Sequence, residues 1–232
     1  MVSERYTRGS YLEKNPSWHA EDSEWKALQV LKMLNRRGLK PASVCEIGCG
    51  AGEILRQLQA RMDGNVVFKG FEISPQALEL CKTRANDRLQ FEQGDGLARK
   101  DEHFDLILAL DLIEHLEDYF AFLRAVKSRG EWKIFHVPLE LSVQTVLRSS
   151  PLLKSREAYG HLHHFTRETA LAALAGAGYE LADEFYTLWS LELPAKTFKS
   201  ALLRIPRQIG FRLNQDLAAR VIGGCSLMAM AR

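Results

Sequence analysis

The chain has 232 residues, 46% hydrophobic and 26% charged, with a formal net charge of +2. These are ordinary values for one globular α/β domain with appendages, and so small a net charge argues neither for nor against a nucleic-acid partner. No run of about eighteen apolar residues and no basic-then-apolar leader occurs, so a membrane span and secretion are not expected, and the reading places the chain in the cytoplasm.

Four cysteines, Cys45, Cys49, Cys81 and Cys225, form no C-x-x-C pair and read as reduced thiols. Residues 1–22 are polar and aromatic, with Tyr6, Tyr11, Trp18 and His19 among charges, and read as an irregular arm. Asp22 or Ser23 then serves as N-cap of a helix. Its apolar stripe, Trp25, Leu28, Val30, Leu31 and Leu34, runs to a stop at Gly38.

The stretch that organises the chain follows. Val44-Cys45-Glu46-Ile47 is a short apolar strand, and Gly48, Gly50 and Gly52 alternate behind it before Glu53 opens a helix. Glycine belongs where the backbone reverses sharply and approaches a ligand. A dinucleotide turn, G-x-G-x-x-G, would have its third glycine at position 53 and a pyrophosphate at the helix start. Glu53 stands there instead, and Glu46 adds a second acid, so a ligand with cationic or neutral groups fits better. The sequence Glu46-x-Gly48-x-Gly50-x-Gly52 resembles the first motif of class I S-adenosylmethionine-dependent methyltransferases, whose ligand carries a sulfonium and an ammonium and no phosphate.

That resemblance extends along the chain. A second strand closes on Glu72, a carboxylate placed to accept from two ribose hydroxyls, and Gly70-Phe71-Glu72-Ile73-Ser74-Pro75 resembles the family's second motif, with Ile73 against adenine. Ser74 and Pro75 also make an N-cap and first helical residue by themselves. Leu89 to Gly96 is a third strand ending in Gly-Asp-Gly, where Asp95 beside Gly96 can accept from the adenine amine or simply complete a turn. Phe104 to Leu110 is a near-continuous apolar run, read as the central strand buried on both faces. Its tip supplies Leu110 and Asp111 as cofactor contacts. Asp111-x-x-Glu114-His115 is similar to the E-x-x-E-H of the quinone-ring O-methyltransferase branch. This cluster can hold the methionine end of the cofactor, act on the acceptor's proton, or bind a divalent ion, in that order.

A fifth strand runs to Val137-Pro138, where the proline stops it, and 139–165 reads as an insertion beside the acceptor pocket. His161-Leu162-His163-His164-Phe165-Thr166 resembles the family's H-x-x-x-F-T/S element, with Thr166 as N-cap. His164 and His115 are the candidate catalytic bases, and no metal is assigned. Tyr179 to Trp189 and Cys225 to Ala231 are the last strands. Between them 194–221 is basic and partly amphipathic, with Lys196, Lys199, Arg204, Arg207, Arg212 and Arg220 among Phe198, Leu202, Leu203, Ile205 and Phe211. Its default is a solvated face, and its sharper reading is a platform for an anionic acceptor or an acidic membrane surface.

The expectation is a single domain over 1–232, a doubly wound, mostly parallel seven-stranded sheet with an antiparallel last strand. The resemblance implies that the helix within 1–40 covers the cleft, with Trp18, His19 and Trp25 over the ligand. It implies S-adenosylmethionine as cofactor, S-adenosylhomocysteine as product and a small-molecule O or N acceptor. The alternative is a cofactor-binding regulator or partner subunit without turnover. A nucleic-acid substrate is disfavoured, because no Asn/Asp-Pro-Pro-aromatic sequence follows the fourth strand.

Overall fold

The structure, a computed structural model, describes residues 15, 17–18, 20–98, 102–194, 201–202 and 204–232. Expectations placed on Tyr6, Tyr11, His19, Lys196, Phe198, Lys199 and Leu203 lie outside these residues.

Seven strands form one sheet in the order β3-β2-β1-β4-β5-β7-β6. They are β1 Ser43–Ile47, β2 Val67–Glu72, β3 Leu89–Gln93, β4 Phe104–Leu110, β5 Gly130–Leu139, β6 Leu181–Thr187 and β7 Cys225–Ala231. The first five pair in parallel, while β7 lies antiparallel to both β5 and β6. Helices α1 Ser23–Arg37, α2 Glu53–Gln59, α3 Pro75–Lys82 and α4 Tyr119–Lys127 connect the early strands. After β5 come α5 Val143–Arg148, α6 Ser150–Ala158 and α7 Arg167–Gly176, then α8 Trp189–Glu192, α9 Arg204–Leu213 and α10 Gln215–Val221.

Side-chain alternation along the strands sorts the apolar residues into two layers. Cys45, Ile47, Ile107, Ala109, Phe135 and Val137 join Leu123, Leu174 and Phe211 on one face. Val44, Leu106, Leu108, Ile134, Met228 and Met230 join Val30, Met33 and Leu55 on the other. Both faces of β4 are therefore covered, which is why its sequence is continuous rather than alternating.

Helix α1 ends at Gly38, whose backbone is left-handed at φ +64° and donates to Leu34 and Asn35 carbonyls, as a C-terminal stop requires. Its buried stripe is Ala27, Val30, Met33 and Leu34. Leu28, expected inside, is 47% exposed. The stripe is rotated because α1 packs on α2 and reaches across to β6 and β7, which sequence periodicity cannot register.

Pro138 does not end β5. The strand continues to Leu139, with Pro138 opposite Ser226 of β7. The β4 ladder stops at Leu110 opposite His136, so beyond that point β5 has a neighbour on one side only and a missing N–H is tolerated. The insertion after it opens with two helices, α5 and α6. The first is opened by a capping box in which Ser142 and Thr145 exchange side-chain and backbone hydrogen bonds.

The chain turns one way from β1 to β2 and the other way from β4 to β5. The carboxyl ends of β1 and β4 therefore frame the crevice of an open sheet.

Candidate functional site

Gly48, Gly50 and Gly52 follow β1 at φ +74°, +54° and +73°, a region strained for any side chain. A Cβ at Gly50 would lie 2.6 Å from Trp18 Cδ1, and one at Gly48 would lie 3.0 Å from Leu112 Cδ1. Trp18 thus lies directly over the turn. At Gly52 a Cβ would meet Phe91 at 2.5 Å, with Cys81 Sγ behind it. This glycine is required by internal packing of α2 against β3, not only by approach to a ligand.

Glu53 does not point bare into the crevice. Its carboxylate is held by Arg56 at 2.6 Å and Arg84 at 2.7 Å, with Gln57 as a third donor. Burial opposes its charge, but those bonds prevail and lower its pKa to about 2. The case against a pyrophosphate therefore passes from Glu53 to the acids below.

Glu72 ends β2 and is 6% exposed. One oxygen accepts from Gly50 N–H at 2.9 Å and the other from Ser74 N–H at 2.8 Å. The acid thus ties the glycine turn to the start of α3. Burial raises its pKa, and the two backbone donors pull the other way. Ile73 beside it is an exposed apolar side chain at the crevice. Asp95 is exposed and accepts from Leu97 N–H at 2.9 Å, the turn role that stood second to the adenine contact among its two readings. Gly96, at φ +70°, packs against the Phe71 ring. Leu110 is buried within the core, so only its backbone is available at the rim.

The tip of β4 holds a network that sequence reasoning found only in part. Asp111, left-handed at φ +51°, lies 2.6 Å from Lys26 Nζ and 2.6 Å from His136 Nδ1. His136 Nε2 is 2.8 Å from Thr187 Oγ1. Trp25 sits edge-on to the His136 ring, 6.0 Å between centroids, and donates to Glu192 of α8 at 2.6 Å. Beneath them Glu46 is 1% exposed, with Oε2 lacking a hydrogen-bond partner. Burial pushes the Glu46 pKa well up against the pull of Lys26. Burial also works against the Lys26 charge, yet Asp111, with Asp22 and Glu46 farther off, outweighs it and raises the Lys26 pKa. Asp111 is pulled well down by His136 and Lys26 despite its own burial. Lys26 and His136 were missed. Both left a signal: Lys26 stands four residues before Val30 on the buried face of α1, and His136 interrupts an apolar strand.

On the acceptor side, Glu140 Oε2 meets His164 Nδ1 at 2.6 Å and His161 Nδ1 at 2.9 Å. Both imidazoles lower the Glu140 pKa against the effect of burial. His163 turns away and bonds the Leu116 carbonyl at 2.9 Å. His115 is edge-on to His161 at 4.8 Å between centroids; burial, then His161, lowers its pKa to about 4, so it is neutral and weakly basic. Glu114 is fully buried with neither carboxylate oxygen hydrogen-bonded. Burial and Asp111 drive its pKa well above the ordinary value. Glu114, His115 and His161, and likewise Glu140, His161 and His164, each bring ligand atoms within 4.8 Å, a spacing able to hold a cation. In the second set both imidazole Nδ1 atoms already meet the same carboxylate oxygen, Glu140 Oε2.

The methyltransferase-domain family pattern matches residues 18–184. The chain belongs to that family. Its domain is a class I S-adenosylmethionine-dependent methyltransferase domain, and the sheet order above is the corresponding fold. The chain is 36% identical over 93 residues to a ubiquinone biosynthesis O-methyltransferase of Azorhizobium caulinodans, covering 38% of this chain and 36% of the relative. It is 27% identical over 183 residues to norajmaline N-methyltransferase of Rauvolfia serpentina, covering 76% of this chain and 60% of the relative. These matches thus span between about a third and three fifths of the relatives' own length. Among solved structures, magnesium protoporphyrin IX methyltransferase from Synechocystis, determined with bound SAH, superposes with a TM-score of 0.59 at 18% identity, over 90% of this chain and 82% of the other. Among the described residues no helix is long and apolar enough to cross a membrane.

Proposed function

We propose that this methyltransferase-family chain moves the methyl group of S-adenosylmethionine to an oxygen or nitrogen of a small molecule. The observation that carries the reading is the half-buried Lys26 paired with Asp111 at the tip of β4, with the buried carboxyl of Glu46, its Oε2 unpartnered, at the end of the neighbouring β1. A zwitterionic amino-acid end needs one cation and at least one acid, and this rim offers both. Glu46 Oε2, an orphaned buried acceptor, fits an ammonium. Lys26 fits a carboxylate. Gly48 and Gly50, lacking a Cβ, let Leu112 and Trp18 close on the turn, while Glu72 would take the ribose hydroxyls and Ile73 an adenine face.

Bound S-adenosylmethionine supplies a methyl carbon already activated by its sulfonium, so the protein chiefly aligns the reactants. Trp18 and Trp25 cover the rim and exclude water. His164 is the better of the two bases foreseen. Glu140 holds its Nδ1, which leaves Nε2 as the atom to take a proton from an acceptor hydroxyl or ammonium. His115, buried and weakly basic, is a packing and positioning partner of His161. The O- and N-methyltransferase names of the relatives support either acceptor atom. A small-molecule acceptor, without nucleic acid, remains the reading for partners.

The test is release of S-adenosylhomocysteine from S-adenosylmethionine across phenolic, amine, sugar and lipid-linked acceptors. Turnover of one class above the no-acceptor rate is the expected result. Tight cofactor binding with no turnover on any of them would make the chain a binding subunit instead.

A further inference from the structure

The basic helix α9 sends its residues in two directions. Ile205, Ile209 and Leu213 are exposed to solvent, while Arg204, Arg207 and Phe211, three and four residues apart, turn toward the body of the fold. A wholly solvated basic face, the default expectation, is therefore not what forms. Arg204 donates to the Leu191 carbonyl, and Arg220 of α10 pairs with Glu168. Among the described residues Arg207 has no such answer. Its Nε is buried without a hydrogen-bond partner, and so is Ser190 Oγ of α8.

These two orphaned donors converge. A Cβ at Gly224 would stand 3.0 Å from Arg207 Nε and 2.9 Å from Ser190 Oγ. Gly224 is left-handed at φ +86° and closes the wall with its backbone alone. Burial first, and then Arg148 of α5 with like sign, work against the Arg207 charge. The group acting in its favour is the Cys225 thiol, which burial pushes up to about 12 and so keeps neutral. Among the described residues no carboxylate acts on Arg207. A guanidinium desolvated beside a second cation is costly unless an anion completes the set.

We propose that Arg207 and Ser190 form a binding site for a phosphate group carried by the methyl acceptor, with the exposed Arg148, which donates to Gln144 at 3.0 Å, as a more distant second cation. Arginine presents parallel N–H donors that match such an oxyanion, and the serine hydroxyl adds one more. The place suits an acceptor. Ser190 lies three residues beyond Thr187, which bonds His136, which bonds Asp111. Gly223, before Gly224, packs on Ser142 at the head of α5, the helix that carries Arg148. The phosphate subsite is therefore joined to the Asp111 rim through Thr187 and His136. The link to the acceptor rests on the methyl-transfer reading, but binding is measured without turnover.

Calorimetric titration of the full chain with inorganic phosphate tests it. Saturable binding is expected, weakened about 10- to 100-fold by Arg207→Gln and about 3- to 10-fold by Ser190→Ala, with S-adenosylhomocysteine binding unchanged. Arg148→Gln, on an exposed side chain, is expected to weaken it several-fold and serves if Arg207→Gln does not fold. Arg212→Gln, exposed on the outer face, is expected to leave it unaltered. Phenyl phosphate and phosphatidylcholine vesicles containing phosphatidic acid separate a soluble ester from a lipid headgroup, and Arg207-dependent binding of either supports the site. Phosphate that does not saturate, or that binds all three site variants as tightly as the wild type, overturns it. Loss of S-adenosylhomocysteine binding in the wild type would instead count against the methyl-transfer reading.

Discussion

Lys26 Nζ lies 2.6 Å from Asp111 Oδ2, joining helix α1 to the tip of the central strand. The contact places a cation where the first helix crosses the crevice and makes its docking depend on charge as well as on the Val30 and Met33 packing. Asp111→Asn keeps the left-handed backbone, which asparagine tolerates, and removes the charge shared by Lys26 and His136. It is expected to lower stability by about 3 kcal/mol and to weaken S-adenosylhomocysteine binding about tenfold or more. Urea denaturation and calorimetry measure the two effects.

Glu72 supports the glycine turn through Gly50 N–H and Ser74 N–H. Glu72→Ala leaves both donors without an acceptor, at a cost of about 2 to 4 kcal/mol, and is expected to weaken cofactor binding about 100-fold. Glu72→Gln retains one acceptor oxygen and should fall between alanine and wild type. Equal binding by all three proteins would remove Glu72 from the cofactor's contacts.

With an acceptor in hand, His164→Ala is expected to lower kcat about 100-fold or more without altering S-adenosylhomocysteine affinity. Glu140→Gln should act in the same direction and less strongly, because it disturbs the orientation of the ring at Nδ1 and not the base itself. His115→Ala is expected to cost less than about tenfold in kcat. Single-turnover rates on the three variants check this order.

Stability should fall on mild acidification. Folded His115 takes its proton only near pH 4, against 6.5 for the ordinary imidazole. The unfolded chain therefore binds that proton first, and the stability present above pH 6.5 is lost toward pH 4, by up to about 3 kcal/mol. Glu140, whose pKa is lowered, adds a loss in the same direction as pH drops below 4.5. Glu114, whose pKa is raised, acts oppositely: it favours the fold while protonated, and that share declines as pH rises above 4.5 through its folded value. His115→Phe should flatten the slope between pH 6.5 and 4 in melting temperatures; an unchanged slope would contradict the assignment.

The sheet was legible because its strands are short, apolar and separated by glycine and asparagine turns, and because Glu46, Glu72 and Asp111 stand where such strands end. The residues that complete the site were not. Lys26 reads as one charge on an amphipathic helix until α1 is laid over β4. Glu140 reads as a loop acid until the chain returns with His161 and His164. Arg207 reads as one base among many, since its inward turn depends on Gly224 and Ser190 far along or back in the chain. Periodicity reports which face of an element is apolar, not which charged side chain a distant segment will bury. Gly52 makes the same point in reverse: its motif position was plain, whereas the Phe91 ring that requires it belongs to another strand.

Calorimetric titration of the wild-type chain with S-adenosylhomocysteine tests the central claim most directly. The account predicts saturable one-to-one binding that Asp111→Asn and Glu72→Ala both weaken. No heat with that nucleoside, together with saturable binding of a nicotinamide dinucleotide, would contradict it.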